Sequence, residues 1–284
     1  MIAEEVVELL SLRDGSRWAL DGRCAGGDVG AWLARRPDGR PVVFKWIEGQ
    51  DDGRLACSLE LVGRLRALGY PIPPHDELAV LPGAAAVVQD LVPHAGVSDV
   101  VSHRLLDRLL ELNELQAGVA AGSNTWAEAM EHSLVEGEIG YCIRGTLATH
   151  GRQAAALLAR ITRIGRELAA ALPPGNDAVH YDFHHRNVLQ DSDGVVAVID
   201  WEGCRPGDRV FDLVTLGISL AVADSADGVE QRVWDAVSRL GEPDAVAVYV
   251  AHMSLRLVDW SIRNHPDEVP LWLRVATERL DDLG

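Results

Sequence analysis

The sequence has very little lysine: of its 26 Lys and Arg residues, only Lys45 is a lysine. An ammonium group is compact and strongly hydrated, and a planar guanidinium does not replace it in every role. Lys45 lies in an apolar segment, residues 41–46, where an unpaired charge is costly. We therefore expect Lys45 to have an anionic partner: a carboxylate, a phosphate, or both.

Cysteine is also scarce. The four residues Cys24, Cys57, Cys142 and Cys204 are scattered and form no C-x-x-C pair, which argues against a zinc site or a disulfide framework. No apolar stretch has the length that spans a bilayer, and the first residues lack the basic start of a secretory signal. These absences predict a cytoplasmic protein with reduced thiols and no membrane partner.

Positive charge is in deficit, with a formal net charge of −17, which argues against a nucleic-acid partner. Residues 1–95 carry 14 acids and 10 bases, a net of −4, whereas residues 96–284 carry 29 acids and 16 bases, a net of −13. The acidic C-terminal part is compatible with steering a cationic ligand, or with solubility alone.

The pattern of apolar residues changes along the chain. Residues 17–46, 78–81 and 84–89 have strand-like patterns, and residues 54–68 are periodic as in a helix. After residue 96 the pattern is mainly helical. The sequence therefore predicts an α+β fold with a small β-rich lobe, residues 1–95, and a larger helical lobe, residues 96–284. The predicted helices of the larger lobe are residues 105–120, 152–172, 210–223, 229–240, 244–263 and 270–282.

Three polar residues between positions 180 and 202 have the spacing of a phosphoryl-transfer site. Asp182 precedes Asn187 by five residues, and Asp200 closes the apolar run 195–199. A carboxylate such as Asp182 can orient the attacking hydroxyl and accept its proton, while an amide oxygen and a second carboxylate hold Mg²⁺. Taken singly, Asp182 could cap a turn and Asn187 could brace a loop. Together they favour catalysis.

Two further features indicate a nucleotide. Lys45 is expected to pair with Glu60 and to reach the phosphates, with Asp51, Asp52 or solvent as competing partners. The glycine-rich segment 22–30 is compatible with backbone amides near phosphate oxygens, or with an ordinary tight turn. Within that segment, the candidate phosphate-contacting residues are Gly26 and Gly27.

Residues beside the motif have expected supporting roles. His180 is interpreted as a structural histidine that holds the loop, and Asp212 as a residue that braces it. Glu202 is a candidate contact for substrate amines or for the metal's surroundings, although a solvated glutamate fits equally.

Near the C-terminus, tryptophans lie beside acids, which is compatible with binding a polycationic ligand by stacking and ion pairing. The alternative is core-packing tryptophans beside a solvated acidic surface. The candidate substrate-binding residues in this region are Asp259, Trp260, Asp267 and Glu268.

These motifs together resemble the aminoglycoside phosphotransferase family, within the protein-kinase-like fold. The family's H-G-D-x-H-x-x-N-x-L stretch corresponds to residues 180–189, and its I-D-W-E to residues 199–202. The later G-D and D-L correspond to residues 207–208 and 212–213, and the E…G-x-P-V-P segment to Glu60 and residues 69–73. The chain departs from the family at Tyr181, where Gly is usual, and at residues 185–186, where Pro-Gly is usual.

The resemblance implies a two-lobed fold with a small antiparallel sheet in the N-terminal lobe. It also implies that ATP (or GTP) and Mg²⁺ are cofactors and that Gln89 and Leu91 flank the backbone that meets adenine. The implied activity is phosphorylation of a hydroxyl on a cationic antibiotic, either an aminoglycoside or a basic cyclic peptide of the capreomycin and viomycin type. The alternatives are a metabolic kinase for choline, homoserine or a sugar amine, and a non-catalytic nucleotide-binding module. Either a monomer or a homodimer is compatible with the sequence.

Overall fold

The computed structural model of the chain describes residues 1–24, 30–49, 53–74, 76–93, 96–120, 125–139, 142–192 and 194–283. The chain divides into two compact units: a first unit of residues 1–97 and 186–204, and a second unit of residues 98–185 and 205–284. The predicted boundary after residue 95 lies beside the first point where the chain changes unit. The prediction placed residues 186–204 in the C-terminal lobe, whereas the structure groups them with residues 1–97.

Helices and strands are numbered in chain order within the described residues. The helices are α1 Ala3–Asp14, α2 Arg54–Ala67, α3 His103–Leu115, α4 Thr125–Val135, α5 Arg144–Thr149, α6 Arg152–Leu168, α7 Val210–Leu220, α8 Val229–Leu240, α9 Pro243–Asn264 and α10 Val269–Asp281. The strands are β1 Ala19–Arg23, β2 Trp32–Arg35, β3 Pro41–Glu48, β4 Asp76–Leu81, β5 Ala84–Asp90, β6 Gly96–Val97, β7 Val100–Val101, β8 Glu138–Ile139, β9 Cys142–Ile143, β10 Asp177–Val179, β11 Val188–Asp191, β12 Gly194–Val198, β13 Arg205–Gly207 and β14 Asp224–Ser225. Short 3₁₀ turns cover Ala169–Ala171, His185–Asn187, Trp201–Gly203 and Pro266–Glu268.

The first unit is built on an antiparallel sheet with the strand order β1-β2-β3-β5-β4. Side chains alternate between the two faces of a strand. On one face, Phe44 and Val88 pack in a core cluster with Val6 and Leu10 of α1. Val87 belongs instead to a small cluster with Leu55 of α2. Lys45 pairs in register with Val87, so its side chain belongs to the face that α2 covers.

A second, three-stranded sheet of the first unit has the order β12-β11-β6. The hairpin β11–β12 is antiparallel, with Val188 opposite Val198. The amide of Val198 donates to the carbonyl oxygen of Pro71 at 2.7 Å, and Tyr70 packs edge-on against Trp201 at 5.2 Å. These contacts fix the hairpin against the segment that follows α2.

The second unit is mainly helical and forms its core around α9, which contacts α6, α7 and α10. The helix is apolar on most of its surface, as expected for a helix surrounded by others. Gly207 in β13 allows a close approach on one side of this core. A Cβ atom there would lie 2.7 Å from Val179 and 2.8 Å from the ring of Trp126, so Trp126 can pack directly against β13.

The predicted helices and strands agree with the structure apart from their ends. The helix predicted over residues 105–120 begins at His103 and ends at Leu115, and the sequence pattern does not predict α4 or α5. In α4, the buried residues Trp126, Met130 and Leu134 are too few to establish a helical period. Among the described residues, no helix combines the length and the apolar composition needed to cross a membrane.

Candidate active site

The loop that carries Asp182 follows β10 in the second unit. This strand pairs antiparallel with β13, with Val179 opposite Arg205. Val179 is fully buried, so the strand anchors the start of the loop in the core. The loop then runs through residues 180–185, and the 3₁₀ turn at its end leads into residues 186–204.

Asp212, in the first turn of α7, braces this loop. Its carboxylate accepts hydrogen bonds from the amides of His180 at 2.7 Å and Tyr181 at 2.9 Å, and from Gln116 Nε2 at 2.8 Å. Burial raises the pKa of Asp212 to about 7, although these three donors act in the opposite direction. The predicted bracing role of Asp212 therefore agrees with the contacts that it makes.

His180 is fully buried, and its Nδ1 accepts a hydrogen bond from the amide of Asp182 at 3.2 Å. Its ring also packs against Phe183, with centroids 6.0 Å apart. These contacts agree with its interpretation as a structural histidine that holds the loop.

Tyr181 has a left-handed backbone with φ of 75°, a conformation that costs a non-glycine residue about 1–3 kcal/mol. This is the position at which the family usually has glycine. Its ring stacks on Phe211 at 4.9 Å, and the guanidinium of Arg205 lies 3.9 Å from the ring centroid. Each such ring contact contributes about 0.5–1.5 kcal/mol, so these contacts and the Asp212 hydrogen bond offset the backbone cost.

The carboxylate of Asp182 is held from two sides. Arg256 Nη2 donates to Oδ1 at 3.0 Å, and His184 Nε2 lies 3.5 Å from Oδ2. Burial acts to raise the pKa of Asp182, but the charge of Arg256 together with His184 and His180 outweighs it and holds the pKa below its usual range. Asp182 is therefore ionised at neutral pH, as a base that orients a hydroxyl must be.

The side chains of Tyr181, His252 and Cys142 form a polar cluster inside the second unit. The hydroxyl of Tyr181 is 2.8 Å from His252 Nε2, and Cys142 Sγ is 3.6 Å from the same nitrogen. Burial raises the pKa of Tyr181 and of Cys142 to about 12 each. Burial, together with the charges of Arg256 and Arg205, lowers the pKa of His252 to about 3. All three side chains are therefore neutral at pH 7.

His252 makes a prediction about acid stability. In the unfolded chain a histidine binds a proton below about pH 6.5, whereas His252 in the folded chain does not until about pH 3. Stability is therefore lost as the pH falls through this window, at about 1.4 kcal/mol per pH unit for the one proton. Chemical denaturation between pH 7 and pH 4 should show a shallower loss for His252→Gln than for the wild type.

The matched control is His132→Gln, because His132 is exposed on α4. This variant should keep the wild-type dependence on pH. If His252→Gln and the wild type lose stability in parallel, His252 is not the group that titrates.

In the first unit, Lys45 forms an ion pair with Asp200, and Glu202 Oε1 lies 3.8 Å from its ammonium nitrogen. The anionic partner expected for Lys45 is thus a carboxylate, with a second one close by. Asp200 directly follows Ile199 and has a left-handed backbone with φ of 71°, which aspartate tolerates better than most residues. Glu202 lies beside Lys45 rather than in open solvent, with its side chain 26% exposed.

Asn187 and Asp200 occupy the same end of the β11–β12 hairpin. Val188 pairs with Val198, and the amide of Ile199 donates to the carbonyl oxygen of Asn187 at 2.9 Å. The two residues therefore leave the hairpin side by side. Sequence spacing predicts that both belong to one site, and the strand register places the two positions next to each other.

The predicted ion pair between Lys45 and Glu60 is wrong. Glu60 pairs instead with Arg64, one helical turn further along α2, at 2.5 Å, and its side chain is 65% exposed. The buried side of α2 carries Leu61, Val62 and Leu65, which places Glu60 toward solvent. The pattern of apolar residues had left Glu60 at the margin of the buried stripe, and this ambiguity is the origin of the error.

The predicted adenine contacts lie at the end of β5. Gln89 pairs with Val43 of β3 and is partly exposed. The amide of Leu91 donates to the carbonyl oxygen of Pro41 at 3.2 Å, so this amide is occupied. Gly26 and Gly27, the predicted phosphate contacts, lie outside the described residues.

The predicted substrate residues of the terminal helices differ in environment. Asp259 has no exposed side-chain surface, pairs with Arg263 at 2.8 Å and accepts from the amide of Ile143 at 3.1 Å. Its carboxylate is therefore part of the helical core, contrary to the expectation of a substrate contact. Trp260 stacks on His265 at 4.3 Å, and Glu268 accepts a hydrogen bond from Trp272 Nε1 at 3.0 Å. Asp267 and Glu268 belong to the 3₁₀ turn between α9 and α10.

A divalent cation fits the donors at the end of the β11–β12 hairpin. Asp200 offers a carboxylate and Asn187 a neutral amide oxygen, which are ligand types that Mg²⁺ accepts. Within the described part of the chain, no group of three or more His, Cys, Asp or Glu side chains forms a metal site by itself. Mg²⁺ usually takes one or two protein ligands and completes its shell with phosphate and water oxygens.

The family model of the phosphotransferase enzyme family (APH) matches residues 27–249, which is most of the chain. The chain belongs to this phosphotransferase family. The resemblance that the motifs indicated is thereby confirmed, and so is the enzyme class, a phosphotransferase with an alcohol group as acceptor. No curated protein matches the chain at a significant level of sequence similarity.

Solved structures confirm the kinase-like fold. A thermostable mutant of aminoglycoside phosphotransferase APH(4)-Ia, in complex with ADP and hygromycin B, has a TM-score of 0.68 at 14% identity and covers 99% of both chains. The amicoumacin kinase hAmiN, in complex with AMP-PNP, Ca²⁺ and its ligand Ami, has a TM-score of 0.64 at 13% identity, covering 99% of this chain and 96% of that one. A protein from Haemophilus somnus 129PT that is assigned as a fructosamine-3-kinase has a TM-score of 0.64 at 13% identity, covering 97% and 96%.

Proposed function

We propose that this phosphotransferase uses ATP and Mg²⁺ to phosphorylate a hydroxyl of a small cationic antibiotic, and that it confers resistance to that compound. The observation that carries the nucleotide part is the set Lys45, Asn187 and Asp200 within the first unit. One ammonium, one amide oxygen and one carboxylate are the groups that nucleotide phosphates and Mg²⁺ require.

Each residue has a distinct role in the proposed reaction. Asp182 orients the acceptor hydroxyl and receives its proton, for which its ionised state is suited. Asn187 and Asp200 would hold Mg²⁺, which supplies charge neutralisation of the phosphates when bound. When the nucleotide binds, the ammonium of Lys45 contacts the phosphate oxygens, either in place of Asp200 or together with it. Because phosphoryl transfer depends mainly on positioning and charge, these groups are sufficient.

The cationic acceptor is supported by charge. Residues 96–284 carry 29 acids and 16 bases, which favours attraction of a polycation by the long-range field. Two of the structural relatives are named for antibiotics, one an aminoglycoside phosphotransferase and the other an amicoumacin kinase. An aminoglycoside is the first candidate and a basic cyclic peptide of the capreomycin and viomycin type is the second.

A metabolic acceptor is the alternative function, and two contacts favour it. Asp259 is buried and neutralised by Arg263, so one of the expected cation-binding carboxylates is occupied. Arg256 also places positive charge beside Asp182. An acceptor with one amine, such as choline, homoserine or a sugar amine, needs fewer carboxylates than a polycation does.

A panel of acceptors tests the proposal. The purified enzyme is incubated with MgATP and, separately, with aminoglycosides, capreomycin or viomycin, and choline, homoserine and fructosamines, and ADP release above the acceptor-free rate is measured. We expect turnover of at least one antibiotic, with one added phosphoryl group by mass spectrometry. We also expect a higher inhibitory concentration of that antibiotic for bacteria expressing the protein. Turnover of a metabolic acceptor with none of any antibiotic would overturn the antibiotic assignment in favour of the alternative.

A further inference from the structure

Arg256 is a contact of Asp182 that the motif around residue 182 does not contain. It lies on α9, 74 residues further along the chain, and belongs to the same unit as Asp182. Its side chain is 15% exposed, so its charge is largely withdrawn from water. A partly buried arginine of this kind is costly to place unless its donors are used.

The guanidinium of Arg256 bridges two consecutive residues of the loop. Nη2 donates to the carboxylate of Asp182 at 3.0 Å, and Nη1 donates to the carbonyl oxygen of Tyr181 at 2.5 Å. The planar fork of a guanidinium fixes the directions of both bonds together. Arg256 therefore constrains both the carboxylate of Asp182 and the peptide that precedes it.

This constraint acts where the loop is strained. Tyr181 has the left-handed backbone that glycine adopts without cost, and Asp182 follows it directly. On the amide side of Tyr181, the carboxylate of Asp212 accepts its N–H at 2.9 Å. On the carbonyl side, Arg256 donates to its oxygen. The residue is thus fixed at both ends of its backbone, and the direction of Asp182 depends on that fixation.

We propose that Arg256 is a positioning residue: it holds the carboxylate of Asp182 in the orientation that the base requires, by bridging it to the carbonyl oxygen of the left-handed Tyr181. The inference rests on the proposed function of Asp182 as the base. It adds a residue from a distant helix to that function.

The charged groups around Asp182 determine what the removal of Arg256 does. Arg256 faces it from α9, and His180 and His184 face it from its own loop. Asp212, at the start of α7, is a neighbouring acid, and Arg205 of β13 contacts the ring of Tyr181. Arg256 is the largest of the charges that lower the pKa of Asp182, and without it, burial and the neighbouring acid raise that pKa.

The test uses Arg256→Gln, which keeps a hydrogen-bond donor and removes the charge. With an acceptor that the wild type phosphorylates, we expect kcat to fall about 10- to 100-fold, because small displacements of a catalytic group have effects of this size. We also expect the acid limb of the kcat profile to move to higher pH, because losing a nearby opposite charge raises the pKa of a buried carboxylate.

The matched control is Arg263→Gln. Arg263 lies on the same helix and also pairs with a carboxylate, that of Asp259 at 2.8 Å, but it does not contact Asp182 in the described contacts. Each variant removes an arginine of α9 that pairs with a carboxylate. The protonation of ATP affects the pH profiles of both variants in the same way. Only Arg256→Gln is expected to move the acid limb. Equal losses of kcat in the two variants with an unmoved limb would overturn the positioning role.

Arg256→Lys separates geometry from charge. It keeps the positive charge, so the acid limb should stay near that of the wild type, but a single ammonium does not reproduce the two directed bonds and kcat should still fall at least about fivefold. Wild-type kcat in Arg256→Lys would show that the bridge is not required and would contradict the inference.

A double-mutant cycle measured by thermal unfolding tests the contact between Arg256 and Asp182 without an acceptor substrate. Asp182→Ala, Arg256→Gln and the double variant are compared with the wild type by their midpoint temperatures. We expect the loss in the double variant to be clearly smaller than the sum of the two single losses, because both single changes break the same contact. Additive losses would overturn the inference. Absence of turnover by the wild type with every acceptor would instead contradict the proposed function, with the cycle still valid for Arg256.

Discussion

Replacing Asp182 by asparagine is expected to reduce phosphoryl transfer by about 10²- to 10⁴-fold, the range that a general base contributes. Asparagine has the same shape and can still accept the hydrogen bond that Arg256 Nη2 donates to Oδ1. It does not accept a proton from the acceptor hydroxyl. The loop is held by hydrogen bonds from the amides of His180 and Tyr181 to the carboxylate of Asp212, and these bonds do not depend on the charge of residue 182. The loss should therefore appear in kcat, and the affinity for MgATP should remain within about threefold.

Two measurements check this expectation: ADP release with the acceptor found in the panel, and nucleotide binding by calorimetry. The control is Asp235→Asn on α8, an exposed aspartate that accepts a hydrogen bond from Gln231 at 2.9 Å, and it should behave as the wild type does. A kcat for Asp182→Asn within threefold of the wild type would remove Asp182 from the role of base.

Replacing Lys45 by arginine is expected to lower kcat/KM for ATP by roughly 10- to 100-fold, although the charge is kept, because hydrogen bonds to charged groups have this value. Lys45 lies between Phe44 and Trp46 on β3 and pairs with Asp200. The longer, planar guanidinium does not fit a site arranged for a compact ammonium. The other 25 Lys and Arg positions of the chain are all arginine. A lysine at position 45 alone is what we expect if arginine does not function there.

The single lysine also allows a direct measurement of nucleotide contact. An amine-reactive ester modifies two kinds of amine in this chain, the side chain of Lys45 and the terminal amine of Met1. Peptide mass spectrometry follows the rate at each site. We expect saturating MgATP to protect Lys45 at least about tenfold and to leave Met1, which pairs with Glu48, unchanged. In Asp200→Asn, protection should require far more MgATP.

An internal standard is available in Arg64→Lys, which adds a second lysine at an exposed position of α2 that pairs with Glu60. That lysine should react equally fast with and without nucleotide. Equal modification of Lys45 in the presence and absence of MgATP would contradict its place in the nucleotide site.

The candidate catalytic and metal-binding residues come from the sequence, because they were chosen by chemistry and spacing. Asp182, Asn187 and Asp200 follow one another at short intervals, and Lys45 is conspicuous as the only ammonium side chain. The register of β11 and β12 places Asn187 beside Ile199, which directly precedes Asp200. The longer helices of the second unit and the strands of the five-stranded sheet were also accessible, because apolar periodicity is a local property, whereas α4 and α5 were not predicted.

Partners across long sequence separations could not be predicted in this way. The lysine has Asp200 as its partner rather than Glu60, since the side that a helix turns toward a sheet depends on small rotations that periodicity does not resolve. Arg256 gave no signal at all, because it occurs in a helical segment of ordinary composition. Asp259 was predicted to bind substrate, but its side chain is fully buried and pairs with Arg263.

The amino-acid sequence by itself determined the family of this phosphotransferase and its candidate site residues, because motif chemistry and spacing are local properties of the chain. Only the tertiary structure decided which charges meet: Lys45 with Asp200, and Arg256 with Asp182. The physical reason is that an ion pair between distant residues depends on the packing of whole helices and strands. That packing is the collective result of burial over the entire core rather than a property of the residues that form the pair.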